Sequence, residues 1–493
     1  MSAIRHLAPA AAALALVFAV GGDPSEMNDD LQLSRPDVLF QDATTAPVRA
    51  RVYTDLRAPE GPRLVAPSVA VALQTRSGRV LGRGTLAPAR GALGDLEANL
   101  PLTAPLDADQ LMIVANTTHD GHPLDVRAEI NVRRQPDARA LEGRSLRGLQ
   151  QFSAGPTLAS SGAIAPDPLA VQVRGGACVP EQPCRILVHV GEPAAALRIE
   201  ANSTVTPPPT AAAETSAVVA FDIVTHGPEA ELWLRAYRGD TAVARRAVRL
   251  PIALGALSAA ASGVVLAPGE RPELRGDAAD GGCIVDAFRA GHWTATGSLA
   301  VCGEQQPIPF DLPAGLWRLQ LRRDSFSADS AGVRVVYLQA PGETAAATTA
   351  ALVQAAHQSA PDDALVRACR AQGARCEPSL AQEYLVAILE GGLAPSPAIA
   401  NGHPERVDRL RERRATLRSL ALGALVLGAL GLALSIGQSG MTAGVRASQL
   451  LSDDPAHARR ARLRAAVRVA ASVGSLVMVF VVLALYVLAR AGP

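Results

Sequence analysis

Residues 126–133 read Val-Arg-Ala-Glu-Ile-Asn-Val-Arg: Val126, Ala128, Ile130 and Val132 alternate with Arg127, Glu129, Asn131 and Arg133. Successive side chains of an extended strand point to opposite faces. A period of two therefore puts one face on a core and the other in water, as in antiparallel sheets. Val69, Val71 and Leu73 repeat the pattern, as do Leu96, Ala98 and Leu100, with Pro59 to Pro62 and Gly82 to Gly94 breaking the strands at turns. Residues 46–134 are expected to form a first β-sandwich module.

The same signal recurs downstream. After a linker at 145–167 that is rich in Ser, Ala, Gly and Pro towards its end, Leu197, Ile199 and Ala201 alternate, and Leu232, Leu234 and Ala236 face opposite Trp233, Arg235 and Tyr237. These place a second module at 168–253. A third, at 257–340, is carried by Thr294 to Val301, by Trp317, Leu319 and Leu321 alternating with Arg318, Gln320 and Arg322, and by Val333 to Leu338. Modules of this length match sandwich domains. The fold class is mainly β: tandem antiparallel β-sandwich modules, then a small helical segment, then a two-helix transmembrane hairpin.

The helical segment is expected over 342–400. Glu343 to Gln358 is Ala-rich, Asp362 to Gln372 follows, Ser379 with Gln382 forms a capping-box pattern, and Gly391 and Gly392 end the last helix. Pro395 to His403 reads as a spacer, and residues 401–418 as an Arg-rich juxtamembrane helix.

Ser419 to Val445 and Val469 to Ala489 are uncharged and mostly apolar, each long enough to cross a bilayer as a helix of about 20 residues. Both carry small residues at close-packing spacing, Ala424 with Gly428 and Ala470 with Gly474. Neither interior holds an ionisable residue, which argues against a transporter or proton path. Arg5 and His6, the apolar run Leu7 to Val20 and the small-residue site Ala19-Val20-Gly21 have the order of a secretory signal, placed at 1–22. With the body outside, residues 446–468 form a cytoplasmic loop, whose arginines fit the positive-inside rule for the second span. The arginines before the first span oppose that rule, and the export signal decides the orientation. Arg411, Arg413, Arg414 and Arg418, with Arg459, Arg460, Arg462 and Arg464, are expected at lipid headgroups.

Six cysteines fall into three near-neighbour pairs, Cys178 with Cys184, Cys283 with Cys302 and Cys369 with Cys376. Behind an export signal, an even count without metal-site spacing implies local disulfides. Arginine supplies the whole Lys and Arg total of 47, so P-loop, Schiff-base and S-x-x-K chemistry are excluded for want of a lysine. That usage points to a GC-rich bacterial genome. A formal charge of +1 gives no reason to expect nucleic acid. His119-Asp120-Gly121-His122 reads as a hairpin turn, with no metal or cofactor expected. Neither G-x-S-x-G nor H-E-x-x-H occurs.

The first module resembles the macroglobulin-type, immunoglobulin-like β-sandwich, through Val48 to Tyr53, Val69 to Leu73 and the phrase Gly94 to Leu102, within residues 47–134. The resemblance implies the fold. It does not imply protease trapping, because the thioester motif is absent: Gly303-Glu304-Gln305 follows Cys302, but Val301 stands where a glycine is needed.

The expected protein is non-enzymatic and sits in a bacterial cell membrane as a multi-pass chain with a large periplasmic or extracellular region. Its sandwiches bind or space a protein or glycan partner, and its helices meet membrane lipids. A subunit or signal-relaying component of a membrane complex is the first alternative, and a surface hydrolase the second. Trp233, Trp293, Trp317, Tyr237 and Tyr337 are expected as core anchors, and two exposed together would mark a partner contact.

Overall fold

A computed structural model describes residues 29–56, 60–89, 94–103, 105–134, 169–191, 196–206, 211–212, 217–253, 259–261, 263–276, 282–323, 332–372, 378–391, 398–450 and 455–490. The export signal and the linker at 145–167 lie outside the described residues. The described chain is mainly β, with several sheets and long helices at its C-terminal end. It divides into two compact units, one comprising Leu31–Tyr53 with Arg63–Asn401, the other holding the two long helices.

In the first module a ten-stranded sheet folds back on itself at the strand Val80–Pro88. Residues 80–86 of that strand pair with residues 69–74, while Ala87 and Pro88 pair with Glu97 and Leu96. Leu31, Val48, Ala50 and Val52 from one half share a core with Val71, Leu73, Ile113 and Val126 from the other. The alternation at 126–133 thus does what its period implies. Asp120 and Gly121 take positive φ values of 47° and 82° between the paired His119 and His122, so the His-Asp-Gly-His phrase is a two-residue hairpin turn.

Three strands of this sheet lie outside the expected boundaries. Asp30–Arg35 and Val38–Phe40 precede residue 46, and Ala398–Asn401 falls where a spacer was expected. The last returns from far along the chain to pair antiparallel with residues 32–35. Its four residues are too few for a periodic signal.

The second module consists of two four-stranded antiparallel sheets. Ile186, Val188, Phe221 and Ile223 of one sheet and Leu197, Leu232, Leu234 and Ala236 of the other bury into one cluster, which also contains Cys178 and Cys184. The third module pairs a three-stranded with a five-stranded sheet around Leu274, Cys283, Cys302, Trp317, Leu319 and Leu321. Here the alternation misleads about exposure. Every residue of Gly315–Arg322 is buried, Arg318, Gln320 and Arg322 included, because the face that would meet water is covered by other parts of the unit.

Helix α1, Ala345–Ser359, starts at Thr344, whose hydroxyl accepts the Ala347 N–H at 3.2 Å. In the next helix, α2, Ala364–Gln372, the Asp363 carboxylate accepts the N–H groups of Leu365 and Val366. Helix α3, Pro378–Glu390, opens on proline, whose fixed φ and missing N–H suit a first turn, so Ser379 lies inside the helix and is not its cap. Leu352, Val366, Tyr384 and Leu385 of these helices form one core with Leu187 and Val218 of the second module and Leu316, Val335 and Tyr337 of the third. The helical segment is a wedge that joins two modules.

In the other unit, α4, His403–Leu450, is one helix of 48 residues, about 72 Å long at 1.5 Å per residue. The expected juxtamembrane helix and first span are continuous, since no proline interrupts residues 405–454. Among the described residues, 406–446 is the one helical stretch found long and apolar enough to cross a membrane. Helix α5, Pro455–Arg490, packs along α4, and the two together extend helix through most of the expected loop at 446–468. Gly437, Gly440 and Gly444 of α4 line the seam with Val469, Ala470 and Gly474 of α5. The Ala470 and Gly474 pair lies at this seam as its spacing suggests, opposite glycines that the sequence reading passed over.

Candidate binding face and the network that fixes the modules

The strand Glu231–Arg238 sits between Ala196–Ala201 and Thr241–Arg249. Its inward residues Leu232, Leu234 and Ala236 are fully buried, so Trp233, Arg235 and Tyr237 must point outward. Trp233 is 36% exposed. Tyr237 is half-buried beneath Arg198, whose guanidinium carbon lies 5.5 Å from the ring centroid. Arg198 stands opposite Arg235, and Arg235 opposite Arg245, so three arginines cross three adjacent strands in register. Glu200 reaches Arg235 at 3.7 Å, and Arg249 pairs with Glu229 at 3.2 Å. Among the described residues Arg245 has no ion-pair partner. The other large aromatics are core anchors as expected: Trp293, Trp317 and Tyr337 are buried.

A different cluster of charge is fully enclosed. Arg49 of the first module donates from Nη1 and Nη2 to the Asp286 carboxylate of the third, at 3.1 and 2.6 Å, and also to the Thr296 hydroxyl. Asp286 accepts the Trp293 indole N–H at 2.8 Å and the Thr296 hydroxyl at 3.0 Å, and Arg322 approaches at 3.8 Å. Arg49 also lies over the Trp293 ring. Asn99 bonds both backbone groups of Thr296, and Asp37 and Asp42 meet His292 and Arg289. Burial pushes the Glu97 carboxyl above its usual range, with Arg49 opposing. This network docks the first module on the third.

Glu390, fully buried at the end of α3, does the same for the second and third modules. Its carboxylate accepts the Gly175 N–H at 2.7 Å and the Val335 N–H at 3.0 Å and pairs with Arg174 at 3.1 Å. Burial lowers the Arg334 guanidinium to about 10, with Glu390 opposing that fall. Arg185 joins Glu383 at 2.8 Å, and Arg318 donates to the Leu389 carbonyl at 2.8 Å.

His189 lies in this second junction, edge-on to Tyr384 at 6.4 Å, with its Nδ1 buried and unbonded. Burial holds its pKa below the usual 6.5, with only the Asp363 charge opposing. The folded chain therefore binds fewer protons than the unfolded chain as pH falls past about 6.5. Stability contributed by neutral His189 is complete above that pH and declines below it. Urea unfolding at pH 7.5 and pH 5.5 should show the loss in the native chain and a smaller loss in His189→Gln; equal slopes would remove histidine as the cause.

Two of the expected disulfides are formed, Cys178 with Cys184 and Cys283 with Cys302. Cys369 is disulfide-bonded as well, and its expected partner Cys376 lies outside the described residues. Of the expected headgroup arginines, Arg411 and Arg413 on α4 and Arg459, Arg460, Arg462 and Arg464 on α5 are exposed, and Arg414 and Arg418 lie on α4 between 411 and 419. Arg411 pairs with Asp408 at 3.3 Å. A hydrolase-like chain of groups does occur, with His226 between Glu181 at 3.1 Å and the Thr206 hydroxyl at 2.8 Å. The Glu181 and His226 side chains are 68% and 43% exposed, whereas a working triad needs a sheltered orienting carboxylate and oxyanion donors around a cleft.

No protein-family model matches the chain, and no curated protein matches it. Weak structural neighbours include Salmonella α2-macroglobulin, at 11% identity over 64% of this chain and 23% of that one, with a TM-score of 0.17. The Escherichia coli adhesin FdeC is similar at 12% identity over 65% of this chain and 98% of its own, with a TM-score of 0.16. A Bacteroides ovatus protein, SGBP-B, solved in complex with a mixed-linkage heptasaccharide, is similar at 11% identity over 62% and 66%, with a TM-score of 0.15. The macroglobulin-type and adhesin neighbours are of the kind that the first module resembles in sequence, and the likeness carries no argument about function.

Proposed function

We propose that the chain is a non-enzymatic, membrane-anchored envelope protein whose exported immunoglobulin-like sandwiches bind a partner at the outer face of the second module. The observation that carries this reading is the pairing of Trp233 and Tyr237 with three in-register arginines on an open sheet face. Aromatic and arginine side chains dominate binding surfaces because they offer large contact area and forked hydrogen bonding. The buried networks at Asp286 and Glu390 support the reading by holding the face on a fixed frame.

In this proposal α4 and α5 form the membrane hairpin, with the second span at Val469 to Ala489 and the expected arginines at the headgroups. The topology has a direct test, because Cys178, Cys184, Cys283, Cys302 and Cys369 are disulfide-bonded and do not compete for a thiol reagent. A Val243→Cys variant should react with a membrane-impermeant maleimide when the outer side is exposed, and His457→Cys only after the membrane is permeabilised. The reverse pattern, or full recovery of the protein in the soluble fraction, overturns the proposal.

A further inference from the structure

We propose that the outer face formed by strands 196–201, 231–238 and 241–249 binds an acidic polysaccharide, with carboxylates on Arg198, Arg235 and Arg245 and a sugar ring against Trp233. This deepens the reading above and rests on that face being a binding surface. The sign of the ligand follows from the register. Neighbouring strands are about 5 Å apart, and like charges directly opposite one another weaken the pairing. Arg198, Arg235 and Arg245 form two such pairs side by side. Among the described residues, only Arg235 of the three has a carboxylate within reach, Glu200 at 3.7 Å. A row of cations that opposes its own sheet is complementary to an anion supplied from outside, and the guanidinium fork matches a carboxylate.

The choice of a polysaccharide over an acidic protein follows from where the charges lie. Protein interfaces exclude water from their centre, where a single arginine is common but a row of three adjacent like charges is costly to desolvate. Here the arginine row is the centre, and Trp233 and Tyr237 flank it two residues to either side, about 13 Å apart along the strand. A protein would have to bury three cations at its hot spot, whereas a hydrated glycan leaves them in contact with water. The Trp233 ring offers a flat apolar surface with a wet edge, suited to the apolar face of a sugar ring, while the Tyr237 ring supports the Arg198 guanidinium above it.

The test uses the full chain in detergent with three probes: polygalacturonate, dextran and poly-glutamate. Binding is expected to polygalacturonate and not to dextran. Arg235→Gln should weaken it by about tenfold and lower its salt dependence. Trp233→Ala should weaken it by a similar factor with the salt dependence unchanged. Arg235→Thr should lose binding while raising the thermal midpoint of unfolding, because it removes the central charge of the row. Equal binding of poly-glutamate and polygalacturonate, indifferent to Trp233→Ala, overturns the polysaccharide and leaves an acidic protein as partner. If no polymer binds, a photocrosslinker at Val243 in native membranes separates the two failures. An adduct overturns the polysaccharide alone, and no adduct overturns the binding face with it.

Discussion

Replacing Asp286 with alanine is expected to cost the β-rich unit about 3–5 kcal/mol, the usual penalty for leaving a buried ion without its partner. Asp286 has no solvent exposure and neutralises Arg49, which has none either. Arg322 is within 3.8 Å and equally enclosed. Removing the carboxylate also orphans the Trp293 indole N–H and the Thr296 hydroxyl. The loss should be read by urea unfolding, and by faster amide exchange in the strand Thr45–Thr54, which carries Arg49. Adding Arg49→Met should recover part of it, since it removes one of the two enclosed cations that lose their carboxylate, Arg322 being the other. A cost below about 1 kcal/mol would place the pair in a far more hydrated setting than its geometry implies.

The second large effect is expected at Glu390. A carboxylate at the C-terminal end of a helix faces the negative end of the dipole, so its position in α3 is locally unfavourable and has to be compensated from outside the helix. Compensation comes from the Gly175 and Val335 N–H groups and Arg174, with Arg318 and Arg334 also under its charge. Glu390→Ala should cost about 3–5 kcal/mol by the same argument. Glu390→Gln should cost nearly as much, because an amide NH2 would face one of the two backbone N–H donors. The second and third modules should then melt in separate transitions. A single unchanged transition in calorimetry would show that the junction is held by the apolar core around Leu352 and Leu385 alone.

What was legible in the sequence was the core side of each strand. Val126, Leu232 and Leu319 face inward as their period requires, because one buried face is enough to fix register. The other side was not. Arg318 and Gln320 look solvated when read along their own strand, and are buried because the helical segment and neighbouring modules cover them. Arg49 and Asp286 lie 237 positions apart, so no local pattern could pair them. The candidate face was half legible. Trp233 and Tyr237 stood out as rare aromatics, but the arginine row exists only once the pairing is known, including a register shift between Ala236 and Tyr237.

The strand Ala398–Asn401 caps the edge presented by Asp30–Arg35. Synthesis runs from the N-terminus, so the first sheet is left with an open, pairing-competent border until the last residues of the β-rich unit emerge. Such borders invite association between molecules. The order of the chain therefore makes assembly of the earliest module wait for the latest segment, and truncations ending before residue 398 should aggregate through their first sheet although every buried ion pair described above is still encoded.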